Sequence, residues 1–239
     1  MNRQIIALGG GGFSMEPDNP LLDNYILEQS RKKRPKICFI GTASGDSEGY
    51  IERFYTSFRK KNCVPSHLSL FKGHTDEIEA FVFQQDIIYV GGGNTRNMLV
   101  LWKEWGLDKM LKKAYDKGTI LSGLSAGAIC WFEEGLTDSI PNQLNKLDCL
   151  GILQGSNCPH FDGESERQNI YRNKIKSEEM KGGFACDDGV GLHFINEHLE
   201  AVISSRANAF AYKYTLEKEG LHEEIIEPIR LAKWRKQPN

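Results

Sequence analysis

The run Gly123–Gly127 has the pattern Gly-x-Ser-x-Gly, with Ser125 at its centre. A short strand is predicted at 119–121 before it, and a helix is predicted to begin near Ala126. In this setting the pattern predicts a nucleophile elbow, a sharp strand-to-helix turn that presents a serine hydroxyl at the mouth of a sheet. The chemistry would be serine nucleophilic catalysis, most simply acyl transfer or hydrolysis. The alternative interpretation is a tight turn with a polar filler residue, because short motifs also arise by chance.

A serine nucleophile needs a general base, and His160 is the candidate that the sequence favours. It lies in the segment Cys158-Pro159-His160-Phe161, where Pro159 stiffens the chain and Phe161 can anchor it. A loop histidine held in this way suits a general base for Ser125. The other histidines have strand-like or turn-like surroundings that are typical of packing or surface residues: His67, His74, His193, His198 and His222.

The acid that would orient the imidazole cannot be chosen from spacing, and three aspartates are candidates. Asp188 follows a short predicted strand and precedes a glycine, and Asp138 lies in a polar segment after the elbow. Asp162 is only two residues from His160, but that spacing does not ensure that its carboxylate reaches the ring. A solvated turn aspartate is the alternative interpretation for each.

A developing oxyanion needs two hydrogen-bond donors. The N–H of Ala126, just after the predicted nucleophile, is one of them by construction. The glycine run Gly91–Gly93, followed by Asn94, could supply the second, because glycine permits a backbone conformation in which an N–H points into the site.

A phosphate-binding loop is the competing interpretation of the glycine runs Gly9–Gly12 and Gly91–Gly93. The first run lacks the full Gly-x-Gly-x-x-Gly spacing, and no Walker-type Lys-Ser/Thr follows it. Metal-ligand spacing is also unconvincing, although His160, Asp162 and Glu164 could be forced into a ligand set. We therefore expect no cofactor and no metal.

The elements that must position these groups alternate between short apolar runs and amphipathic segments over the first two thirds of the chain. Predicted strands lie at 5–8, 37–40, 64–71, 87–90 and 119–121, and predicted helices at 21–33, 48–61, 97–105 and 107–117. This alternation predicts an α/β fold with a mostly parallel sheet and helices on both faces. In such a sheet the site lies at the carboxyl ends of the strands, where the turns after Leu8, after Val90 and at Ser125 all fall.

The pattern changes after about residue 134. The segment 135–157 is polar without a strong period, and we interpret it as a long excursion near the site, with a lid as an open possibility. A polar helix is predicted at 164–180, and β-like runs follow at 190–195, 199–204 and 210–216, so the C-terminal part is β-rich. Because no linker or repeat is visible, we predict a single domain over 1–239, with a frayed tail at 232–239.

Composition excludes several classes of function. The 239 residues carry a formal net charge of −2, which gives no electrostatic case for a nucleic-acid or membrane partner. No apolar run has the length of a membrane span, and the run near the start is too short for a signal-peptide core. The six cysteines lack Cys-x-x-Cys spacing and are expected to be reduced thiols, so we expect a cytoplasmic protein. The oligomeric state stays open, with a homodimer as the assembly considered.

Three blocks together carry a specific resemblance: Val90–Thr95, Gly123–Ala128 and Cys158–Phe161. In their order and approximate spacing, over about residues 4–205, the chain resembles the S51 serine peptidases, the family of peptidase E (aspartyl dipeptidase) and cyanophycinase. The resemblance implies a fold similar to class I glutamine amidotransferases, with serine replacing cysteine at the elbow. It also implies Ser125 as nucleophile, His160 as base, and an oxyanion hole from the Gly92 region and the N–H of Ala126.

The resemblance also bears on the acid. In cyanophycinase-like members an acidic residue lies in a segment that matches 187–189, which favours Asp188. In peptidase E an aspartate between nucleophile and histidine has been considered, and it would match Asp138. We therefore predict Asp188 as the acid, with Asp138 in reserve.

For the substrate, the resemblance implies dipeptides with an N-terminal aspartate, which peptidase E cleaves. A gapless comparison puts Glu166 where an arginine would pair with that side chain, so Arg167 or Arg172 would have to replace it. Asn94 is expected to hold the backbone or amino terminus of the substrate. The prediction is thus a serine exopeptidase for short peptides, Asp-X dipeptides among them, acting through a Ser-His-acid triad and an acyl-enzyme. The alternatives are a hydrolase of another small ester or amide, and a non-catalytic ligand-binding module.

Overall fold

The computed structural model describes residues 2–72, 77–163 and 165–231. His74, Glu164 and the tail predicted to be frayed, 232–239, lie outside the described residues. The described strands are β1 (Gln4–Leu8), β2 (Lys36–Ile40), β3 (Val64–Leu68), β4 (Ile87–Val90), β5 (Ile120–Leu124), β6 (Phe132–Ile140), β7 (Gln143–Asp148), β8 (Leu153–Cys158), β9 (Gly183–Cys186), β10 (Val190–Ile195), β11 (His198–Ser204), β12 (Ala211–Glu217), β13 (Gly220–Ile226) and β14 (Ile229–Arg230). The described helices are α1 (Gly12–Met15), α2 (Leu21–Glu28), α3 (Glu48–Phe58), α4 (Ile78–Phe83), α5 (Thr95–Trp105), α6 (Leu107–Asp116), α7 (Ala126–Ile129) and α8 (Ser165–Lys176).

The larger of the two sheets has the strand order β14-β11-β10-β1-β5-β4-β2-β3. The strands from β1 to β3 in this order run parallel, and β10 pairs antiparallel with both β1 and β11. The register places Leu8 opposite Leu124, and Val90 opposite Gly123. The carboxyl ends of β1, β4 and β5 are therefore neighbours, so the turns that follow them share one edge.

Helices cover both faces of this sheet, which explains why its central strands are apolar throughout. Alternate residues of β1 enter opposite layers: Ile5 packs in one core and Ile6 in the other. The first core receives α5 and α6, and the second receives α2 and α3. The predicted mostly parallel sheet with helices on both faces is confirmed.

The second sheet has the order β13-β12-β9-β8-β6-β7. Three of its strands, β6, β7 and β8, occupy the segment 135–157, so the prediction of an irregular excursion there is wrong. The edge strand β7 has no buried residue, which is why its sequence lacks the apolar alternation of a half-buried strand. An aromatic core that includes Phe161, Tyr171 and Tyr214 joins this sheet to α8.

Two further features of the described residues are the lengths of the helices and the state of the cysteines. Among the helices of the described residues, none has the length and apolar composition needed to cross a bilayer. All six cysteines lie in described segments as free thiols, and only Cys149 is not fully buried.

Candidate active site

Ser125 lies at the turn between β5 and α7 with φ 55° and ψ −114°, a backbone conformation that a residue with a Cβ rarely adopts. Its N–H donates to the carbonyl of Leu8 at 3.2 Å, and its own carbonyl accepts the N–H groups of Ala128 and Ile129, both at 2.9 Å. Three backbone hydrogen bonds therefore hold the serine in a strained conformation, as expected when surrounding structure over-determines a functional residue.

The two motif glycines explain how α7 can sit so close to the sheet. A Cβ on Gly123 would lie 2.5 Å from the carbonyl oxygen of Gly127, and a Cβ on Gly127 would collide with the carbonyl oxygen of Val90. Glycine at both positions lets the start of α7 pack directly on the backbone of β4 and β5. The spacing Gly-x-Ser-x-Gly is thus a packing requirement of the turn.

His160 follows β8 of the second sheet and also has a left-handed backbone, with φ 54°. Its N–H donates to the carbonyl of Gly9 at 3.1 Å, which ties it to the end of β1. The N–H of the next residue, Phe161, donates to the carbonyl of Cys186 at 3.0 Å. The Phe161 ring is fully buried in the aromatic core of the second sheet, so the histidine backbone is fixed on both sides.

The acid nearest to the His160 ring is Asp188, whose Oδ1 lies 2.6 Å from Nδ1. Asp162 instead accepts the backbone N–H of Asp188 at 2.8 Å and so supports the acid from behind. The carboxylate of Asp138 is exposed, and no hydrogen bond or ion pair between described residues joins it to His160.

The glycine run at the end of β1 makes room for this pair. A Cβ on Gly10 would collide with Oδ1 of Asp188, and a Cβ on Gly9 would collide with the carbonyl oxygen of Asp187. The run therefore allows the 187–189 turn to pack against the end of β1. This close packing explains why glycines occur here, and a phosphate-binding loop is not needed to explain them.

Two charged residues that sequence analysis missed lie behind Asp188. Nη1 of Arg206 is 4.0 Å from Oδ2 of Asp188, and its Nε donates to Oε1 of Glu16 at 2.8 Å. The other oxygen of Glu16 accepts a hydrogen bond from the hydroxyl of Ser205 at 2.9 Å. Gly189 leaves space for the arginine, because a Cβ there would lie 2.7 Å from its Cγ. Glu16 and Arg206 are far apart in sequence, so no local pattern could have paired them.

Asp187 is buried beside this network and has a different environment from Asp188. Burial raises the pKa of Asp187 to about 6, the N–H of Phe210 lowers it, and the nearby carboxylates of Asp162 and Asp188 raise it. Its Oδ2 accepts that N–H at 2.9 Å, and its Oδ1 has no hydrogen-bond partner among the described residues. The turn therefore holds one buried acid and one acid that faces the histidine.

The predicted oxyanion donors lie in the segments that directly follow β5 and β4. Ala126 is the first residue of α7, directly after Ser125. The N–H of Gly92 donates to the hydroxyl of Tyr50 at 3.2 Å, while Gly93, with φ 137°, lines the same cavity as Ser125. The contribution of Gly92 to an oxyanion hole stays a prediction.

Ser125, His160 and Asp188 line one cavity of about 480 Å³. The other lining residues are Gly93, Asn94, Thr95, Ile129, Thr137, Asp138, Ser139, Pro159, Gly163 and Arg167. A larger groove of about 990 Å³ lies between α2 and α3, but it contains none of the predicted site residues. We place the candidate site in the smaller cavity because the predicted nucleophile, base and acid all line it.

The two residues predicted to bind substrate are also on the cavity wall. Asn94 caps α5, with Oδ1 accepting the N–H of Asn97 and Nδ2 donating to the carbonyl of Ser139, both at 2.9 Å. Arg167 lies in the first turn of α8 and is 3% exposed. The alternative arginine, Arg172, does not line the cavity and forms a two-pronged ion pair with Glu223 at 2.9 and 3.1 Å.

Comparison with known proteins identifies relatives of this chain. The model of the family described as Peptidase family S51 matches residues 5–202. A Bacillus subtilis (strain 168) protein named "Uncharacterized peptidase YgaJ" is 56% identical over 92% of this chain and 96% of its own length. A protein named "Peptidase E" from Haemophilus influenzae (strain PittGG) is 25% identical over 77% of this chain and 80% of its own length.

Solved structures show the same fold at lower identity. A peptidase from an acI-B1 Actinobacterium has a TM-score of 0.66 at 18% identity, and 95% of each chain is covered. A putative peptidase E protein from Listeria monocytogenes EGD-e has a TM-score of 0.62 at 19% identity, with 87% of this chain and 100% of that chain covered.

Proposed function

This chain belongs to peptidase family S51 and is a peptidase, and from that premise we propose that it is a serine exopeptidase that hydrolyses short peptides. Ser125 is the nucleophile, His160 the general base and Asp188 the acid that orients the base. Dipeptides of the form Asp-X are among the proposed substrates, because relatives over most of the chain are named Peptidase E.

The observation that carries this proposal is the 2.6 Å contact between His160 and Asp188 in the cavity that also contains Ser125. The contact engages Nδ1 of the imidazole, so Nε2 is the ring nitrogen left to accept a proton from the serine. An acid at Nδ1 also stabilises the imidazolium that forms after that transfer. The strained turn at Ser125 is the second support, because such strain clusters at active sites.

In the proposed reaction the Ser125 hydroxyl attacks the carbonyl carbon of the scissile bond while His160 takes the hydroxyl proton. The carbonyl oxygen becomes an oxyanion, which accepts hydrogen bonds from the N–H of Ala126 and from the Gly92–Gly93 backbone. The N–H of Gly92 is bonded to Tyr50, so of these two glycines we propose Gly93, which lines the cavity, as the donor. His160 then protonates the leaving amine, and water releases the acyl-enzyme by the same steps with the roles reversed.

The cavity favours a small substrate. Its volume of about 480 Å³ lies in the lower part of the usual range for small-molecule sites, which is about 300–1,000 Å³. A dipeptide fits such a volume, whereas an extended polypeptide needs an open cleft.

The test is the replacement Ser125→Ala, read by digestion of a dipeptide library with mass-spectrometric detection. Replacement of the nucleophilic serine lowers kcat by about 10⁶-fold in a well-studied serine peptidase. We therefore expect no detectable cleavage by this variant and no labelling by a fluorophosphonate probe. Ser57→Ala on α3 is the matched control and should cleave and label as the wild type does. Dipeptide cleavage by the Ser125→Ala variant at the wild-type rate would rule out the proposal.

A further inference from the structure

We propose that Asp138 binds the α-ammonium group of the substrate and so makes the enzyme act at the first peptide bond. This inference rests on the proposed peptidase function and assigns Asp138 a role at the substrate instead of at His160. Asp138 lines the cavity that contains Ser125, and the residue is exposed.

The backbone at Asp138 departs from regular strand pairing. The register between β6 and β7 shifts between Thr137 and Ile140, so Asp138 and Ser139 form an irregular stretch in β6. Such bulges turn a side chain away from the direction that the strand would give it, and they are frequent next to active sites. The bulge thus provides a local reason for an acidic side chain on the cavity wall.

This irregular stretch is held firmly against the start of α5. Nδ2 of Asn94 donates to the carbonyl of Ser139 at 2.9 Å, and the backbone N–H of Arg96 donates to the hydroxyl of Ser139 at 3.2 Å. The hydroxyl of Thr137 lies 2.8 Å from that of Ser139 and 3.3 Å from that of Thr95. A carboxylate carried on such a clamped segment is pre-organised for binding, because little freedom remains to be lost.

The negative charge of Asp138 favours a cationic partner, and Arg167, which also lines the cavity, is buried on α8. The cavity has one other lining carboxylate among the described residues, Asp188, and His160 engages it. No ion pair or hydrogen bond between described residues uses the carboxylate of Asp138. A free peptide offers a primary ammonium next to its first carbonyl, and a carboxylate can accept two of its three N–H bonds.

The location of this ammonium site would decide which bond is cut. A substrate anchored by its amino terminus presents its first carbonyl at a fixed offset from the anchor, so only that carbonyl reaches Ser125. A blocked amino terminus would lose both the charge and the donors. We therefore expect free-amine substrates to depend on Asp138 and acetylated substrates to be independent of it.

The experiment compares the wild type, Asp138→Asn and the control Asp148→Asn, a carboxylate on β7 outside the cavity. The substrates are aminoacyl p-nitroanilides, each with a free or an acetylated amine. We expect Asp138→Asn to lower kcat/KM about 10- to 100-fold on the free-amine substrates, mainly through KM, and to leave the slow acetylated substrates unchanged. Asp138→Glu should restore part of the loss, and Asp148→Asn should match the wild type.

Three results would overturn the inference. An equal fall in kcat on free and acetylated substrates would mean that Asp138 acts on the chemistry or the fold, and an unchanged kcat/KM would mean that the ammonium binds elsewhere. Dependence on Asp138 only for substrates with a lysine side chain would also overturn it, because the site would then bind the ε-ammonium. Fluorophosphonate labelling of Ser125 in every variant separates these results from failure of the proposed peptidase function.

Discussion

The two sheets contribute to the site in different ways. The larger sheet supplies the proposed nucleophile, because Ser125 directly follows β5, just as Gly9 follows β1 and Gly91 follows β4. The smaller sheet supplies His160 after β8, and Asp138 within β6. Asp188 lies in the connection from β9 of the smaller sheet to β10 of the larger one. The nucleophile is therefore a product of local sequence, whereas the base and the acid depend on how the two sheets meet.

The difference extends to how each sheet is stabilised. The parallel strands of the larger sheet are buried between two layers of helices, and even its turns are fixed by glycines that allow backbone to touch backbone. The smaller sheet has exposed edges at β7 and β13 and is held by aromatic residues that pack on α8. Mutations in the larger sheet and mutations in the smaller sheet should therefore differ in whether they mainly change stability or turnover.

Where the two sheets meet, the largest effect is expected at Asp188. Asp188→Asn should lower kcat by up to about 10⁴-fold with the fold intact, because an amide at this position no longer selects the productive tautomer of His160. Asp162→Asn should cost much less, since Asp162 only supports the backbone of Asp188. Steady-state kinetics with circular dichroism as the folding control would measure both. If both variants lost a similar, small part of their kcat, Asp188 would not be the residue that orients His160.

Next in size is a pH effect on the helix layer of the larger sheet. Burial raises the pKa of Asp23 to about 7, although the ammonium of Lys61 lowers it. Between pH 4 and 7 the folded protein thus keeps a proton that the unfolded chain has released, so this group makes the free energy of unfolding fall as the pH rises to about 7. The loss is on the order of a few kcal/mol and levels off above pH 7.

The measurement is the thermal midpoint at pH 5, 6, 7 and 8. Asp23→Asn should show a smaller decrease between pH 5 and 7 than the wild type, and the exposed control Asp18→Asn should keep the wild-type dependence. If the wild type and Asp23→Asn show the same slope, the buried carboxyl does not bind the proton.

A smaller effect on stability is expected at the elbow itself. Gly127→Ala would place a Cβ against the carbonyl of Val90, and we expect a loss of about 1–3 kcal/mol from overpacking. Gly49→Ala on α3 is the matched control, because the nearest atom to its Cβ is 3.9 Å away and alanine favours a helix. Urea unfolding would compare the two. If Gly127→Ala were as stable as Gly49→Ala, the turn would accommodate a Cβ at position 127, and the expected overpacking would be absent.

The contrast between the two sheets also explains which elements of the fold could be predicted from the sequence. The helix predicted at 97–105 lies within two residues of α5. The strand predicted at 87–90 coincides with β4, because burial on both faces gives this strand an uninterrupted apolar run. The elbow can be predicted because its pattern lies within five consecutive residues. The strand β7 was missed because its residues lie at an edge and face solvent, so no period distinguishes it from a loop.

The acid shows most clearly what local sequence could not predict. Spacing does not separate Asp138, Asp162 and Asp188, the family resemblance favours Asp188, and the three-dimensional contact makes Asp188 the neighbour of His160. The contact between Glu16 and Arg206 could not be predicted either, because the two residues are 190 positions apart in the sequence. Residue types could suggest the triad, but long-range packing decides its members.

The position of Asp188 between the two sheets has a consequence for biosynthesis. A growing chain that has reached α7 already contains every residue of the elbow, yet it lacks His160, Asp188 and the strand β10 that pairs with β1. The proposed triad is therefore complete only late in synthesis, after β10 has been made and has docked. Peptide turnover is for this reason a sensitive reporter of complete maturation, and truncated products of translation should be inert.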